Sequence, residues 1–89
     1  MMLLKTKNYK KSILSLSKKD QGLLLKQEKI LLENIFSPKL HTKKLKGFSN
    51  ELIYSFRVTR EYRGIFRLSG NGIILFAIGH RKDIYQSLN

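Results

Sequence analysis

The residues with the most chemistry to offer lie close together near the end of the chain. The string LFAIGHRKDIYQ, residues 75–86, starts as an apolar strand and then presents His80, Arg81, Lys82, Asp83 and Tyr85 within six positions. A histidine titrates near neutrality and can give or take a proton. An arginine beside it can stabilise charge building up on a phosphorus centre, and a tyrosine can stack on a base or join a hydrogen-bond chain. Taken singly, each has an ordinary reading: a surface histidine, a tyrosine padding a chain end, and Asp83 as the N-cap of a final turn, DIYQSL. The information is in the constellation.

A second set of cations stands upstream. In ELIYSFRVT, Tyr54, Phe56 and Val58 alternate with Ser55, Arg57 and Thr59, and in YRGIFRL, Tyr62, Phe66 and Leu68 alternate with Arg63 and Arg67. Strand side chains point to opposite faces in turn. If the apolar sets face a core, Arg57, Arg63 and Arg67 share the other face with Ser55, Thr59 and Ile65. Three guanidiniums on one sheet face are costly to hold without anions, and the guanidinium fork matches phosphate oxygens. No His/Asp/Glu spacing has the pattern of a metal site, and no phosphate-cradling glycine loop is present. Phosphate chemistry here is therefore expected to use no metal or cofactor. RNA suits that regime, since its own 2′-OH can attack the adjacent phosphorus once the chain is oriented and protons are moved.

The elements that must position these groups follow from the pattern. Residues 2–6 suit a short strand and residues 8–16 a short helix with Tyr9, Ile13 and Leu16 on one face. SKKD at 17–20 is a capping-box pattern that predicts a longer helix to about Ile35. Its stripe is Leu23, Leu24, Ile30, Leu31 and Ile35, widened by Leu25 and Leu32. Ser37 precedes Pro38 and is biased away from helix, so the helix is expected to stop near Phe36. Only Arg60 and Glu61 separate the two alternating runs, which predicts a tight hairpin. SGNG at 69–72 is a second turn signal. IILFAIG is apolar at every position, as in a mid-sheet strand covered on both faces. The expected class is α+β: an N-terminal helical hairpin packed on one face of a small, mainly antiparallel sheet of about four strands.

Composition sets the outer bounds. The 89 residues imply one domain, 1–89, and 42% hydrophobic content is enough for one core. With no cysteine, disulfides, thiolate metal sites and cysteine nucleophiles are excluded, which suits a cytoplasmic setting. The longest apolar run, residues 73–78, is too short to span a bilayer, so no membrane partner is expected, and MMLLK turns charged too early for a signal peptide. Eighteen Lys and Arg against six Asp and Glu leave a net charge of +12. A polyanion or an acidic protein would explain it. A lysine-rich composition, 13 of the 18 cations being Lys, explains less well why all five Arg follow residue 56.

The order of a short strand, two helices, KLKG, YSFRVTREYRGIFRL and IGHRKDIY resembles the RelE/ParE toxin superfamily of bacterial type II toxin–antitoxin systems. The likeness covers essentially the whole chain and is strongest over 43–86. The connector SPKLHTKKLKG is more similar to RelE and YafQ members than to ParE. The resemblance implies a ribosome-dependent mRNA endonuclease that inhibits translation, working without metal by 2′-OH attack to leave a cyclic phosphate.

Carried over by position, the resemblance makes Arg63 the phosphate-stabilising residue, Arg57 a basic residue of the catalytic face, Arg81 the late arginine, and Tyr85 the late tyrosine that stacks on or helps activate substrate. His80 falls where a basic or catalytic residue is expected. Ser55 replaces a lysine of RelE, so the general base is left between Tyr85 and His80, with His41 a weaker candidate. Arg67, Lys43, Lys44, Lys46 and His41 are the expected RNA- and phosphate-binding residues.

The partners implied are an acidic antitoxin, with the Leu25/Leu32 edge a contact for it, and the ribosome and mRNA; operator DNA is reached only through the antitoxin complex. A ParE-like reading, a gyrase poison that binds without nuclease chemistry, competes with this one, as does, more remotely, a plain nucleic-acid-binding module.

Overall fold

Residues 2–46 and 52–85 are described by a computed structural model, in which the expected α+β arrangement holds: two helices lie on an open five-stranded sheet. The elements are β1 (Met2–Lys5), α1 (Lys7–Ile13), α2 (Lys18–Glu33), a 3-10 turn (Pro38–Leu40), β2 (Lys43–Lys44), β3 (Leu52–Arg57), β4 (Tyr62–Ser69) and β5 (Gly72–His80). Strand order is β1-β5-β4-β3-β2. All neighbours are antiparallel except β1, which runs parallel to β5 with Leu3 opposite Ile73.

Two details depart from the sequence reading. The sheet is one strand wider than about four, because the connector lysines Lys43 and Lys44 pair with Ser55 and Tyr54 as the two-residue strand β2. The middle strand is β4, with β5 interior beside it. Gly47, Glu51 and residues 86–88 of the expected final turn lie outside the described residues.

Local chemistry accounts for the helix limits. Thr6 caps α1 by accepting the Tyr9 N–H at 3.2 Å, and the Ser17 hydroxyl caps α2 by accepting the Asp20 N–H at 3.1 Å. Helix α2 stops at Glu33, two residues before Ile35, where Asn34 takes an extended conformation and Pro38 opens the 3-10 turn. The β3–β4 connection is longer than the expected two residues. It spans 58–61, since the Thr59 hydroxyl accepts the N–H groups of Glu61 and Tyr62 and both Val58 and Thr59 donate to the Tyr62 carbonyl. Between β4 and β5 the chain reverses over Gly70 and Asn71. There Gly70 adopts a φ of 55°, a left-handed value that glycine takes without steric cost.

The main core lies between the helices and one face of the sheet. Tyr9, Leu16, Leu24 and Leu31 pack there on Phe56, Val58, Phe66, Ile73 and Leu75. Among the described residues it encloses one carboxylate. Glu28 is buried in the middle of α2, accepting the Tyr9 hydroxyl at 2.8 Å and pairing with the Lys5 ammonium at 2.9 Å. This ties β1, α1 and α2 together, and burial, followed by the Glu28 charge, pushes the Tyr9 phenol far above its ordinary range. Leu25 and Leu32 are left exposed, on a groove they share with Leu3, Gly22, Lys26 and Lys29.

The second face carries a smaller cluster of Ile53, Ile65, Ala77 and Ile84, flanked by Leu45 and Phe76. It forms because the chain after β5 folds back and lays Ile84 over Gly79, where an added Cβ would sit 2.8 Å from Ile84 Cδ1. Strand β5 is thus covered from both sides, as its unbroken apolar run predicted.

Candidate functional site

The cationic face begins with strand register. In the β3–β4 ladder, Arg57 stands directly opposite Arg63, Ser55 opposite Ile65, and Ile53 opposite Arg67. Partners directly across a ladder project to the same face, so the arginines share the face of the small cluster and stand opposite the helices, as the alternation predicted. Glycine at 64 has a structural cause of its own. On the helix side it leaves room for the Phe56 ring, since a Cβ at this position would collide with Phe56 Cε1.

Arg63 is held and half-buried. Its terminal nitrogen donates to the carbonyls of Thr59 (2.9 Å), Arg60 (3.1 Å) and Tyr62 (3.1 Å), which fixes the guanidinium against the hairpin loop. Burial lowers its proton affinity, and the Arg57 charge lowers it further. Like charges facing each other across a ladder destabilise a sheet. Arg57 adds a second cost: its Nε is buried without a hydrogen-bond partner. A buried unmatched donor costs about 1–3 kcal/mol, more when charged. Together these leave a pair of facing cations whose charge and one buried N–H are unmatched by the described residues.

The turn after β5 completes the set. Residues 81–85 fold back with the Asp83 and Ile84 N–H groups on the His80 carbonyl, both at 2.9 Å. Tyr85 then reaches across the sheet and its hydroxyl lies 3.4 Å from the Ser55 hydroxyl. It also lines a shallow pocket with Lys43, Lys44, Leu45 and Lys46 of the β2 segment. Both Tyr85 and Arg81 act electrostatically on Arg63. Lys43, as the partner of Ser55, belongs to this face by register. Ser55, Arg57, Arg63, Arg81, Tyr85 and Lys43 therefore surround one exposed basic surface backed by a packed sheet, with Lys44, opposite Tyr54 by register, at its edge.

Other candidates stand apart from it. Arg67 is four residues beyond Arg63, about 13 Å along the strand, at the Ile53 end of the face. His41 ends the 3-10 turn in a left-handed conformation, exposed, two residues before Lys43. Asp83 lends its backbone N–H to the turn, and the side chain that caps this turn is that of His80, whose Nδ1 accepts the Lys82 N–H at 3.1 Å.

His80 lies on the other side of the sheet from the arginines. The β4–β5 register slips between Ile65 and Phe66: Phe66 pairs with Leu75, Ile65 with Ala77, and Phe76 is the extra residue. A bulge reverses the parity of everything after it. Gly79 therefore faces Arg63, while His80 faces Tyr62, the two rings meeting edge-on at 5.8 Å. Glu61, which the sequence reading passed over as a turn residue, lies at the junction. Its carboxylate is 3.3 Å from His80 Nε2 and 4.0 Å from Arg81 Nε, and its carbonyl accepts the Arg81 N–H at 2.8 Å.

No protein-family model matches the chain, and no curated protein matches it by sequence. Solved structures do. The archaeal RelE–RelB complex from Pyrococcus horikoshii OT3 contains a chain with a TM-score of 0.76 and 24% identity, over 90% of this chain and 93% of that one. A YoeB/ParE toxin from Agrobacterium tumefaciens matches with a TM-score of 0.75 and 17% identity, over 91% and 99%. The RelB–RelE antitoxin–toxin complex from Methanococcus jannaschii matches with 0.73 and 25% identity, over 92% and 94%. The chain thus has the fold of the RelE/ParE-type toxins, along nearly its whole length and nearly the whole length of each of these structures.

Proposed function

We propose that this protein is the toxin of a type II toxin–antitoxin pair and acts as a ribosome-dependent mRNA endonuclease. One observation carries the chemistry: Arg57 and Arg63 face each other across a ladder, with an unpartnered buried N–H on the first and a loop-anchored guanidinium on the second. An RNA phosphate would relieve both costs at once. The 2′-oxygen of the substrate forms a bond to the neighbouring phosphorus and the bond from phosphorus to the 5′-oxygen breaks, leaving a 2′,3′-cyclic phosphate and a 5′-hydroxyl. Arg63, with Arg57 and Arg81, binds the non-bridging oxygens as their charge grows. Tyr85 is the group on this face suited to stack on a base and to exchange the proton of the 2′-OH or of the leaving oxygen. Lys43, Lys44, Lys46 and Arg67 continue the basic surface along the strand of RNA, and His41 stands at its approach.

The antitoxin partner is proposed from charge and from the company the fold keeps: the RelE structures from P. horikoshii and M. jannaschii are complexes with RelB, and a net charge of +12 calls for an acidic partner. Among the described residues no helix is long and apolar enough to cross a membrane, and the working compartment proposed is the cytoplasm, where ribosomes are. The test is induction of the chain in cells followed by primer extension on mRNA. The expected result is new 5′ ends within translated codons, absent when translation is blocked. Intact mRNA together with DNA gyrase trapped on broken DNA would replace the nuclease by the ParE-like reading.

A further inference from the structure

Both ring nitrogens of His80 are occupied, and what they hold is the turn that carries the proposed site. Nδ1 accepts the Lys82 N–H at 3.1 Å, so it bears no proton in this arrangement, and Nε2, the protonated nitrogen of that tautomer, points at the Glu61 carboxylate 3.3 Å away. The ring stacks edge-on against Tyr62, on the face opposite Arg63. Its charged and titratable surroundings are therefore Glu61 from the hairpin, Tyr62 from β4, and Arg81 and Lys82 from its own turn. None of these positions leaves a lone pair or a proton of His80 facing the cationic surface.

We infer that His80 and Glu61 are positioning residues for the proposed reaction: together they clamp the 81–85 turn onto the 58–61 hairpin and so set where Arg81 and Tyr85 stand relative to Arg63. The clamp has three anchors. His80 Nδ1 fixes the first peptide of the turn, the Glu61 carbonyl accepts the Arg81 N–H at 2.8 Å, and the Glu61 carboxylate holds the imidazole while lying 4.0 Å from Arg81 Nε. Ile84, buried over Gly79, closes the far end. The hairpin end of the clamp is the same loop whose carbonyls anchor Arg63, so one local structure aligns a guanidinium from β4 with one from the turn after β5. The inference rests on the nuclease reading for its effect on rate, but the clamp itself can be tested without it.

The experiment compares wild type, His80→Ala and His80→Asn by amide hydrogen exchange of the free protein and by single-turnover cleavage of ribosome-bound mRNA. An asparagine oxygen can accept the N–H two residues on, as Nδ1 does here, but cannot transfer protons near neutral pH. In His80→Ala, the Lys82 and Ile84 amides are expected to exchange faster and cleavage to slow by about 10- to 100-fold, the scale of a misplaced catalytic group. His80→Asn is expected to restore slow exchange and to bring cleavage within about threefold of wild type, with an unchanged pH–rate profile, because an Asx-type bond replaces the imidazole contact. Equal loss of cleavage in both variants, with one limb of the pH profile gone, would overturn the inference in favour of proton transfer by His80. Lys82 exchange unaffected by His80→Ala would refute the clamp even if the wild type cuts no RNA. In that case the nuclease reading fails separately.

Discussion

The two faces of one sheet follow opposite rules. On the helix side, Phe56, Phe66, Ile73 and Leu75 are buried against two helices, and the one carboxylate admitted, Glu28, is matched by Tyr9 and Lys5. On the other side a cluster of four buried residues supports a surface where Arg57 faces Arg63 and a buried guanidinium N–H is left unmatched. One face has its polar groups satisfied internally, and the other keeps charges that its own neighbours oppose. Like charge can be held together where a ligand of opposite sign relieves it, so the contrast separates the part of the chain that specifies the fold from the part proposed to do the chemistry.

The separation can be broken most directly at Arg63. Arg63→Ala is expected to reduce single-turnover mRNA cleavage by about 10²–10³, the usual effect of losing a charge-stabilising donor. Folding stability should fall by less than about 1 kcal/mol, since the hydrogen bonds lost to the hairpin are offset by relief of repulsion from Arg57. Tyr85→Phe is expected to fall in the same range or beyond, about 10²–10⁴ for a lost proton donor or acceptor, again with the fold intact. Wild-type cleavage by either variant removes that residue from the site, and a large drop in urea midpoint would mean the cationic face holds up the fold after all.

The reverse experiment sits one residue along. Gly64→Ala adds a methyl group into the Phe56 ring, and overpacking of this kind costs about 1–3 kcal/mol. Cleavage per folded molecule should stay close to wild type. Denaturant midpoints beside an activity titration corrected for the folded fraction would check it. If activity falls far more than stability, the two faces are mechanically coupled through β4.

Much of this contrast was legible from parity alone, and the failures have physical causes. Alternation placed Tyr54, Phe56 and Val58 against the helices and Arg57 and Arg63 away from them, because nothing interrupts the β3–β4 ladder. The same parity carried along β5 from Leu75 puts His80 beside the arginines. The bulge at Phe76 reverses it, and no residue in ILFAI announces a bulge. Lys43 and Lys44 gave no sign of a strand, since a two-residue edge is specified by its partner and not by its own pattern. Glu28 falls at helical spacing between Leu24 and Leu31, on the buried face, and nothing in the sequence marked it as a matched core carboxylate, because its two partners, Lys5 and Tyr9, lie far away in sequence. The exposure of Leu25 and Leu32 could not be told from core by spacing, which records a face and not what covers it.

The helix-side network makes a prediction in pH. The Tyr9 phenol is raised well above its ordinary value of 10.0 by burial and by Glu28. A raised pKa in the folded state means that Tyr9 keeps its proton there after the unfolded chain has lost it. Its contribution is complete below pH 10 and declines as pH rises beyond that. Stability should then fall by about 1.4 kcal/mol per pH unit from this residue. Urea unfolding between pH 8 and 11 should show that part of the decline in wild type and not in Tyr9→Phe, which is less stable at neutral pH by about 1–3 kcal/mol because Glu28 loses a partner. Parallel curves for the two proteins would mean that Tyr9 is not protected from ionisation.

The smallest effect is the most local test of where the charge works. Lys43 pairs with Ser55 on the cationic face, whereas Lys29 lines the apolar groove on α2. If single-stranded RNA lies along the cationic face, each lysine that neutralises a phosphate there releases counterions and adds about 0.7 to the slope of log affinity against log salt. Lys43→Gln should shallow that slope by about 0.7, and Lys29→Gln should leave it unchanged. Binding of a 2′-O-methyl RNA, which cannot be cut by attack of its own 2′-oxygen, would be followed by fluorescence anisotropy between 50 and 300 mM salt. Equal slopes for both variants and wild type would mean that the RNA contacts lie elsewhere. Equal losses would mean that the net charge of +12 acts as a diffuse field around the molecule, in which case the proposed role of the arginine pair at the cut phosphate would stand apart from whatever sets the path of the strand that carries it.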